Sequence, residues 1–361
     1  MKIGILSMQK IPNYGSFLQA LSLKIQMEAR GHDVYFIDIQ KGRQIVSPPN
    51  TVSLSELAGK LDNYVLKRIE NVIFSRKMSR IHISDYVKYL ETEKQLTKGE
   101  RFDLVIIGSD EVFNATAPSP WGFSPQLFGK IENADKVVSY AASCGRTNFA
   151  DAQKYGIDGE IADALSNLDA ISVRDKNTYD FVKSITGKDA LMHLDPVFVS
   201  DYDDRICEKK RKKQYLLVYA YVNRINDDEE ITAIKDYAKA HNLDIVSVGT
   251  QQRWCSHNIA ANAFELLSYV KNAACIVTDT FHGTVFSIKY NKQFVTLIRE
   301  SNRNKLGGLL STFDLMSRSV DSPEHLAEIM DKEIDFENAN AIIATGREFT
   351  YKYFDEICKE G

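Results

Sequence analysis

The sequence has 361 residues, of which 44% are hydrophobic and 26% are charged, a balance typical of globular proteins. A chain of this length exceeds what one hydrophobic core usually supports, so two domains are expected. The formal net charge of −4 gives no reason to expect a nucleic-acid partner, and no apolar run approaches the length of a membrane span.

The five cysteines are scattered along the chain and form no C-x-x-C pair. Their odd number and irregular spacing argue against a disulfide framework and a structural zinc site, and fit a reducing compartment. The seven histidines show no H-x-H or H-x-x-x-H spacing, so no metal site is predicted. We therefore expect a cytoplasmic protein whose contact with the inner face of the membrane is at most peripheral.

The first half of the chain alternates short apolar runs with helical patterns. Residues 2–7 predict a buried strand, and Ser16 can cap a helix that Gly31 ends before a strand over 34–39. This βαβ unit predicts a parallel sheet. Further strands are predicted over 104–107, 137–142, 170–173 and 190–193, helices over 53–93, 151–167 and 176–185, and loops over 41–52 and 114–126.

A charged stretch over 200–213 is interpreted as a domain linker. Its basic run, 209–213, is interpreted as a solvated connector; a contact for anionic lipid or a polyanionic substrate is the alternative. The alternation then resumes, so the predicted domains are 1–200, 201–335 and a C-terminal helical segment, 336–361. Strands are predicted over 216–221, 244–248, 275–278 and 294–298, and helices over 227–241, 262–273, 283–291, 304–313 and 322–332.

The segment 278–284, Thr-Asp-Thr-Phe-His-Gly-Thr, joins a predicted strand to a predicted helix. His282 therefore lies at a strand C-terminus and a helix N-terminus, where backbone N–H groups and the helix dipole favour an anion. Gly283 would let a ligand approach the backbone, and His282 could bind a phosphate or act as a general acid. The alternative is that Asp279 and Thr280 only cap the helix, and the residues alone leave both interpretations open.

Three further predicted strand ends carry polar groups. The segment 13–16 (Asn-Tyr-Gly-Ser) follows the first strand but contains no G-x-G-x-x-G fingerprint, and 108–110 (Gly-Ser-Asp) would hold a carboxylate at the sheet edge. Arg174 ends another strand, where a guanidinium is suited to grip a carboxylate or phosphate with two hydrogen bonds. Plain turns, caps and surface pairs are the alternative explanations. Side chains that could add hydrogen-bond donors follow the strand over 294–298: Arg299, Asn302, Arg303 and Lys305.

Taken in order, these segments resemble the polysaccharide pyruvyl transferase family over roughly residues 10–315. The segments that carry the resemblance are 13–19 (NYGSFLQ), 108–110 (GSD), 139–143 (SYAAS), 172–175 (SVRD), 194–196 (LDP) and 278–284 (TDTFHGT). The resemblance implies an α/β, GT-B-like architecture: two Rossmann-like, doubly wound domains facing across a cleft, with a C-terminal helix that can pack back on the first domain.

The resemblance also implies a reaction. Phosphoenolpyruvate would give pyruvate, as a ketal, to two hydroxyls of a sugar in a cell-surface polysaccharide or its precursor. The implied partners are phosphoenolpyruvate and a glycan or lipid-linked oligosaccharide acceptor, with no cofactor or metal ion required.

Matching the family's motifs residue by residue makes His282 resemble the donor-site histidine and Arg174 the donor-binding arginine. Asn13 and Asp110 would then face the acceptor. The predicted catalytic residues are His282, Arg174 and Asp110, and the predicted substrate-binding residues are Asn13, Tyr14, Gly15, Ser16, Ser109, Ser143, Asp279, Thr280, Phe281, Gly283, Thr284, Asn302 and Arg303.

One position departs from the family pattern. Some branches have Arg-Leu-His where this chain has Thr280-Phe281-His282, so a positive charge two residues before the histidine is missing. Arg299 or Arg303 could replace it, which is a hypothesis. Two other functions fit the same features: a GT-B glycosyltransferase that uses a nucleotide-sugar, and a non-catalytic protein that binds an anionic metabolite.

Overall fold

The computed structural model describes residues 1–46, 62–91, 100–300 and 302–359. Contacts divide the chain into two compact units, which we call unit 1 and unit 2. Unit 1 comprises Met1–Pro48, Tyr86–Asp201 and Ile342–Gly361, and unit 2 comprises Pro49–Asp85 and Tyr202–Ala341. Each unit is therefore built from segments that are far apart in the sequence.

The contacts of two segments bear on the division drawn from the sequence. Residues 62–85 group with unit 2 rather than with the N-terminal domain, in part because Asp85 Oδ2 accepts a hydrogen bond from the Ala263 N–H at 3.0 Å. Residues 342–361 group with unit 1. Of the predicted loop over 41–52 and helix over 53–93, residues 47–61 and 92–93 lie outside the described residues.

Unit 1 contains a parallel sheet with helices in its connections. Its strands are β1 (Lys2–Leu6), β2 (Asp33–Phe36), β3 (Phe102–Ile107), β4 (Ala134–Ser139), β5 (Ser172–Val173) and β6 (Leu191–Met192). Four of them form a sheet in the order β2-β1-β3-β4, and β5 pairs with β6. The chain therefore winds outward in both directions from β1 and β3, which are neighbours in the sheet.

The helices of the first 200 residues are α1 (Tyr14–Glu28), α2 (Asp62–Tyr89), α3 (Phe149–Lys154), α4 (Asp158–Ser166), α5 (Lys176–Thr186) and α6 (Pro196–Val199). The predicted helix over 151–167 is two helices, α3 and α4. Gly156, between them, adopts a left-handed backbone with φ of 63°, which an α-helix cannot accommodate. The sequence pattern alone did not reveal this break.

Unit 2 contains a larger parallel sheet. Its strands are β7 (Tyr215–Tyr219), β8 (Asp244–Val248), β9 (His257–Ile259), β10 (Cys275–Thr278), β11 (Phe294–Leu297) and β12 (Ser319–Val320). The sheet order is β12-β11-β10-β7-β8-β9. The chain winds one way from β7 and the other way from β10, so the strand order reverses between these two neighbours. Strands β9 and β12 were not predicted from the sequence, and they have only three and two residues.

The helices that follow are α7 (Asp228–Ala240), α8 (Ala263–Asn272), α9 (Phe281–Lys289), α10 (Arg303–Thr312), α11 (Leu326–Asp331) and α12 (Glu337–Ile357). The predicted helix over 322–332 is a 3-10 turn, Pro323–His325, followed by α11. Within the ranges described above, the chain forms no helix with both the length and the apolar character needed to cross a bilayer.

The last helix completes the core of unit 1. Tyr353 and Phe354 are 3% and 0% exposed and pack in the same cluster as Ile3, Ile5 and Tyr140. The Tyr353 hydroxyl donates a hydrogen bond to the Ser139 carbonyl at 2.8 Å, at the end of β4. The sheet of unit 1 is therefore covered by residues from the far end of the chain.

Candidate functional site

The strand order reverses between β1 and β3 in unit 1, and ligands of open α/β sheets bind outside the carboxyl ends of the strands at such a switch point. Helix α1 follows β1, and the motif Gly108-Ser109-Asp110 follows β3. The Ser16 hydroxyl donates a hydrogen bond to Asp110 Oδ2 at 2.5 Å. This bond joins the two segments across the switch point.

Asp110 is held in an uncommon conformation. Its φ is 73°, a left-handed backbone that residues other than glycine seldom adopt and that is concentrated at functional sites. Gly108, two residues earlier, has a φ of 137°, and a Cβ atom there would lie 2.1 Å from the Tyr140 carbonyl oxygen. Glycine is therefore required at 108, and Asp110 is 9% exposed.

Asn13 caps helix α1, because its side chain accepts a hydrogen bond from the Gly15 N–H at 2.8 Å. Tyr14, Gly15 and Ser16 form the buried first turn. Ser109 is fully buried. The Ser143 hydroxyl donates to Asp175 Oδ2 at 2.7 Å. The predicted binding residues of unit 1 thus lie at its strand ends, and several of them hold the local structure together.

Arg174 forms a buried ion pair. Its Nη1 donates to Asp195 Oδ2 at 2.8 Å, and the two side chains are 3% and 1% exposed. Gln19 donates to the same carboxylate oxygen. Burial disfavours the charged guanidinium, but the carboxylates of Asp195, Asp110 and Asp175 outweigh burial and raise the pKa of Arg174. The charge of Arg174 is therefore balanced inside unit 1.

His193 lies beside this pair, at the end of β6. Its Nδ1 is 2.7 Å from the Ser172 hydroxyl, and its ring stacks on Phe349 at 4.6 Å and lies 4.7 Å from the Tyr353 ring. Burial lowers the pKa of His193 to about 4. These contacts show that the imidazole packs against aromatic rings of the last helix.

The corresponding switch point of unit 2 lies between β7 and β10. Thr280 is the N-cap of α9, and its hydroxyl accepts a hydrogen bond from the Gly283 N–H at 2.9 Å. The helix begins at Phe281 and not near residue 283 as predicted, because Thr280 provides the cap three residues earlier. His282 is therefore already in the first helical turn.

His282 is 6% exposed and lies between two aromatic rings, those of Phe281 at 5.3 Å and Phe286 at 6.0 Å. Gly283 has a packing role that the sequence did not reveal. A Cβ atom there would lie 2.0 Å from the Thr278 hydroxyl oxygen. Close packing between β10 and α9, rather than the approach of a ligand, therefore explains this glycine in the structure.

Asp279 pairs with an arginine that the sequence analysis did not single out. Arg224 Nε donates to Asp279 Oδ2 at 3.0 Å, and the two side chains are 35% and 0% exposed. Burial raises the pKa of Asp279, although the Arg224 charge opposes this shift. Arg224 follows β7 and Asp279 follows β10, so this pair joins the two segments across the switch point of unit 2.

The hydrogen-bond donors expected after β11 differ in their contacts. Arg299 forms a two-pronged ion pair with Glu230, and its Nη2 also donates to the Arg224 carbonyl at 3.1 Å. Asn302 Nδ2 donates to the Asp279 carbonyl at 3.0 Å. Arg303 begins α10 with a 58% exposed side chain, 3.5 Å from Glu300. Arg299 and Asn302 therefore support the Asp279 segment.

Thr284 and Lys305 complete the surroundings of this segment. The Thr284 hydroxyl donates to the Thr280 carbonyl at 3.1 Å and lies 3.0 Å from the Thr296 hydroxyl. Lys305 Nζ lies 4.8 Å from the centre of the Phe281 ring. The predicted residues thus form two groups, one beyond the strand ends of each unit.

The positive charges of the basic run 209–213 are largely neutralised by ion pairs. Lys209 pairs with Glu265 at 2.9 Å, Lys210 with Glu208 at 2.7 Å, and Lys213 with Asp244 at 2.9 Å. Arg211 lies 3.5 Å from the same Asp244 carboxylate. These ion pairs match the interpretation of the run as a solvated connector.

Comparison with solved structures supports the fold. A UDP-GlcNAc 2-epimerase from Methanocaldococcus jannaschii is 10% identical, with a TM-score of 0.51 over 98% of this chain and 99% of that one. A putative UDP-N-acetylglucosamine 2-epimerase from Listeria monocytogenes is 10% identical, with a TM-score of 0.52 over 98% and 94%. The glycosyltransferase of kitacinnamycin is also 10% identical, with a TM-score of 0.50 over 99% of both chains. These likenesses confirm the expected GT-B-like α/β fold.

The search of curated proteins gives no match to the chain. The family comparison is decisive in contrast, because the model described as "Polysaccharide pyruvyl transferase" matches residues 13–301. That range contains both switch points, with Ser16 and Asp110 in one and Asp279 and His282 in the other. The chain is a transferase and belongs to the polysaccharide pyruvyl transferase family.

Proposed function

We propose that the protein transfers the enolpyruvyl group of phosphoenolpyruvate to two hydroxyls of a sugar, in a cell-surface polysaccharide or its precursor. The product is a pyruvate ketal. Family membership supports the reaction class. The structural observation that carries the proposal is the position of His282, buried in the first turn of α9 at the switch point of unit 2.

The chemistry requires a proton donor and a site for phosphate. One sugar hydroxyl adds to C2 of phosphoenolpyruvate and gives up its proton while C3 accepts one, and the bond from C2 to the bridging oxygen then breaks so that inorganic phosphate leaves. The second hydroxyl closes the ketal and gives up its proton. We assign the proton donor to His282, since a histidine can supply a proton near neutral pH and the start of a helix favours an anionic donor.

The missing positive charge before His282 has a candidate replacement in Arg224. Thr280 occupies the arginine position of other branches, and its hydroxyl is engaged in capping α9. Arg299 is held by Glu230 and Arg303 is mostly exposed beside Glu300. Arg224 contacts Asp279 and keeps 35% of its side chain in solvent, which would let its guanidinium reach the carboxylate or phosphate of the donor.

Unit 1 contributes the predicted acceptor residues. Asn13 and Asp110 lie at its switch point, and a carboxylate there would orient sugar hydroxyls by accepting their hydrogen bonds. Arg174 was predicted to bind the donor. Because its charge is balanced by Asp195, we propose that it acts by positioning the strand end rather than by contacting phosphate.

The test is phosphate release from phosphoenolpyruvate in the presence of acceptor glycans. We expect His282→Gln to lower the rate by about 10²–10⁴-fold, the usual effect of losing a general acid. The matched control is His325→Gln, because that histidine is exposed with a 58% accessible side chain. Equal rates for the two variants would remove His282 from the mechanism.

The same preparation distinguishes the alternatives. A thermal shift with UDP- or GDP-sugars but none with phosphoenolpyruvate would favour a glycosyltransferase, as two of the structural likenesses are to enzymes of nucleotide-sugars by name. Tight binding of phosphoenolpyruvate with no product on any acceptor would favour a metabolite-binding protein. Either result would replace the proposal.

A further inference from the structure

One face of helix α2 combines exposed branched apolar side chains with cations. The α2 face consists of Val72, Ile73, Arg76, Lys77, Arg80 and Ile83. The three apolar members are 41%, 61% and 62% exposed, in that order, and the three cations are exposed as well. At 3.6 residues per turn the six residues lie within an arc of about 140°. They therefore form one continuous surface in unit 2.

The opposite side of the helix fixes this orientation. Met78 and Asp85 are each 6% exposed, and Asp85 accepts a hydrogen bond from Ala263 at the start of α8. The α2 face therefore points away from the sheet of unit 2. Over residues 72–83 the arc contains no acidic residue, and the exposed Glu70 lies about 20° beyond its edge.

Among residues 1–46, 62–91, 100–300 and 302–359, the three cations of the α2 face make no salt bridge. Lys77 contributes to lowering the pKa of Glu265, but that carboxylate is already paired with Lys209 at 2.9 Å. The face differs in this respect from the basic run 209–213, where neighbouring carboxylates neutralise most of the charge. Its positive field is thus available to an external anion.

We propose that the α2 face docks on an anionic lipid surface. Cations interleaved with branched apolar groups suit the boundary between headgroups and acyl chains, where lysine and arginine meet lipid phosphates and the apolar groups are removed from water. A polyanion alone would leave Ile73 and Ile83 in solvent, so a lipid surface accounts for both halves of the pattern. Docking of the α2 face does not depend on pyruvyl transfer, because vesicle binding is measured without substrate.

The experiment is co-sedimentation of the full chain with vesicles at low salt. We expect binding to phosphatidylcholine vesicles that contain phosphatidylglycerol, and little binding to phosphatidylcholine alone. The variant Arg76→Gln/Lys77→Gln/Arg80→Gln should lose about 100-fold in partitioning, since each cation at an anionic surface contributes roughly fivefold. Added salt should weaken wild-type binding because it screens the attraction.

Two further variants separate lipid docking from general charge effects. Lys210→Gln/Lys212→Gln/Lys213→Gln changes the net charge equally and should leave binding within about twofold, because those positions lie in the neutralised run. Ile73→Ser/Ile83→Ser should weaken binding about tenfold or more without changing charge, as apolar burial is lost. Absence of wild-type binding to anionic vesicles would overturn the proposal. Equal losses in the two triple-glutamine variants would do so too, and an unchanged thermal unfolding temperature confirms that the variants are folded.

Discussion

Each unit of this molecule has an arginine–aspartate pair beyond its strand ends, and the two pairs differ in exposure. In unit 1, Arg174 and Asp195 are 3% and 1% exposed, and the Asp195 carboxylate also accepts a hydrogen bond from the buried Gln19. In unit 2, Arg224 is 35% exposed while Asp279 is fully buried. A guanidinium that is completely enclosed fixes the fold around it, whereas one that reaches solvent can also contact a substrate. This difference supports our proposal that Arg174 holds the fold together and that Arg224 binds the donor.

The largest expected effect is on stability. Arg174→Met leaves the Asp195 carboxylate buried without its main counter-charge, so the free energy of unfolding should fall by about 3–5 kcal/mol. Chemical denaturation measures this loss. The double variant Arg174→Met/Asp195→Asn removes both charges and should recover part of it. A loss below about 1 kcal/mol for Arg174→Met would place this pair in the same class as exposed ion pairs.

The pH dependence of the free energy of unfolding tests how closely the region around Arg174 and Asp195 is shielded from solvent. The folded pKa of His193 is about 4 and its unfolded pKa is about 6.5, so the folded state binds fewer protons between these values. The neutral His193 therefore contributes about 3 kcal/mol to the free energy of unfolding above pH 6.5, and this contribution is lost as the pH falls toward 4. His193→Gln should flatten the profile in that window. The exposed His325→Gln variant should retain the wild-type profile.

The smallest expected effect is on catalysis at the switch point of unit 2. Arg224→Gln should lower kcat/KM for phosphoenolpyruvate by about 10–100-fold, as loss of a hydrogen bond to a charged group does. Its free energy of unfolding should fall by about 1–3 kcal/mol, less than for Arg174→Met, because the buried Asp279 carboxylate loses a partner that is itself partly in solvent. The comparison fails if Arg224→Gln unfolds the protein while its turnover per folded molecule stays normal.

Local sequence patterns predicted the strand and helix order well. The run Cys275–Thr278 reads as a strand because four apolar or β-branched residues precede a polar turn, and the structure has the same bounds. The short strands β9 and β12 were not predicted, because two or three residues are too few to show the alternation of a strand. Helix α9 starts two residues earlier than predicted, because a threonine cap competes with glycine as a boundary signal.

The site was predictable only in its local parts. His282 and Asp279 stand out because they follow a buried strand directly. Arg224 could not be identified in this way, since it meets Asp279 across 55 residues of sequence. The pairing of Arg299 with Glu230 spans 69 residues. Such contacts depend on which strands become neighbours, and the order β10-β7 is a property of the whole sheet.

The way α12 completes unit 1 has a consequence for biosynthesis. Ile3 and Ile5 at one end of the chain share a core with Tyr353 and Phe354 at the other. During synthesis, residues 202–341 of unit 2 leave the ribosome before unit 1 has its full complement of residues. Unit 2 can therefore fold first, while the sheet of unit 1 still has part of its apolar surface uncovered and accessible to chaperones. A chain truncated after residue 341 should remain bound to chaperones, whereas the full chain should be released by them.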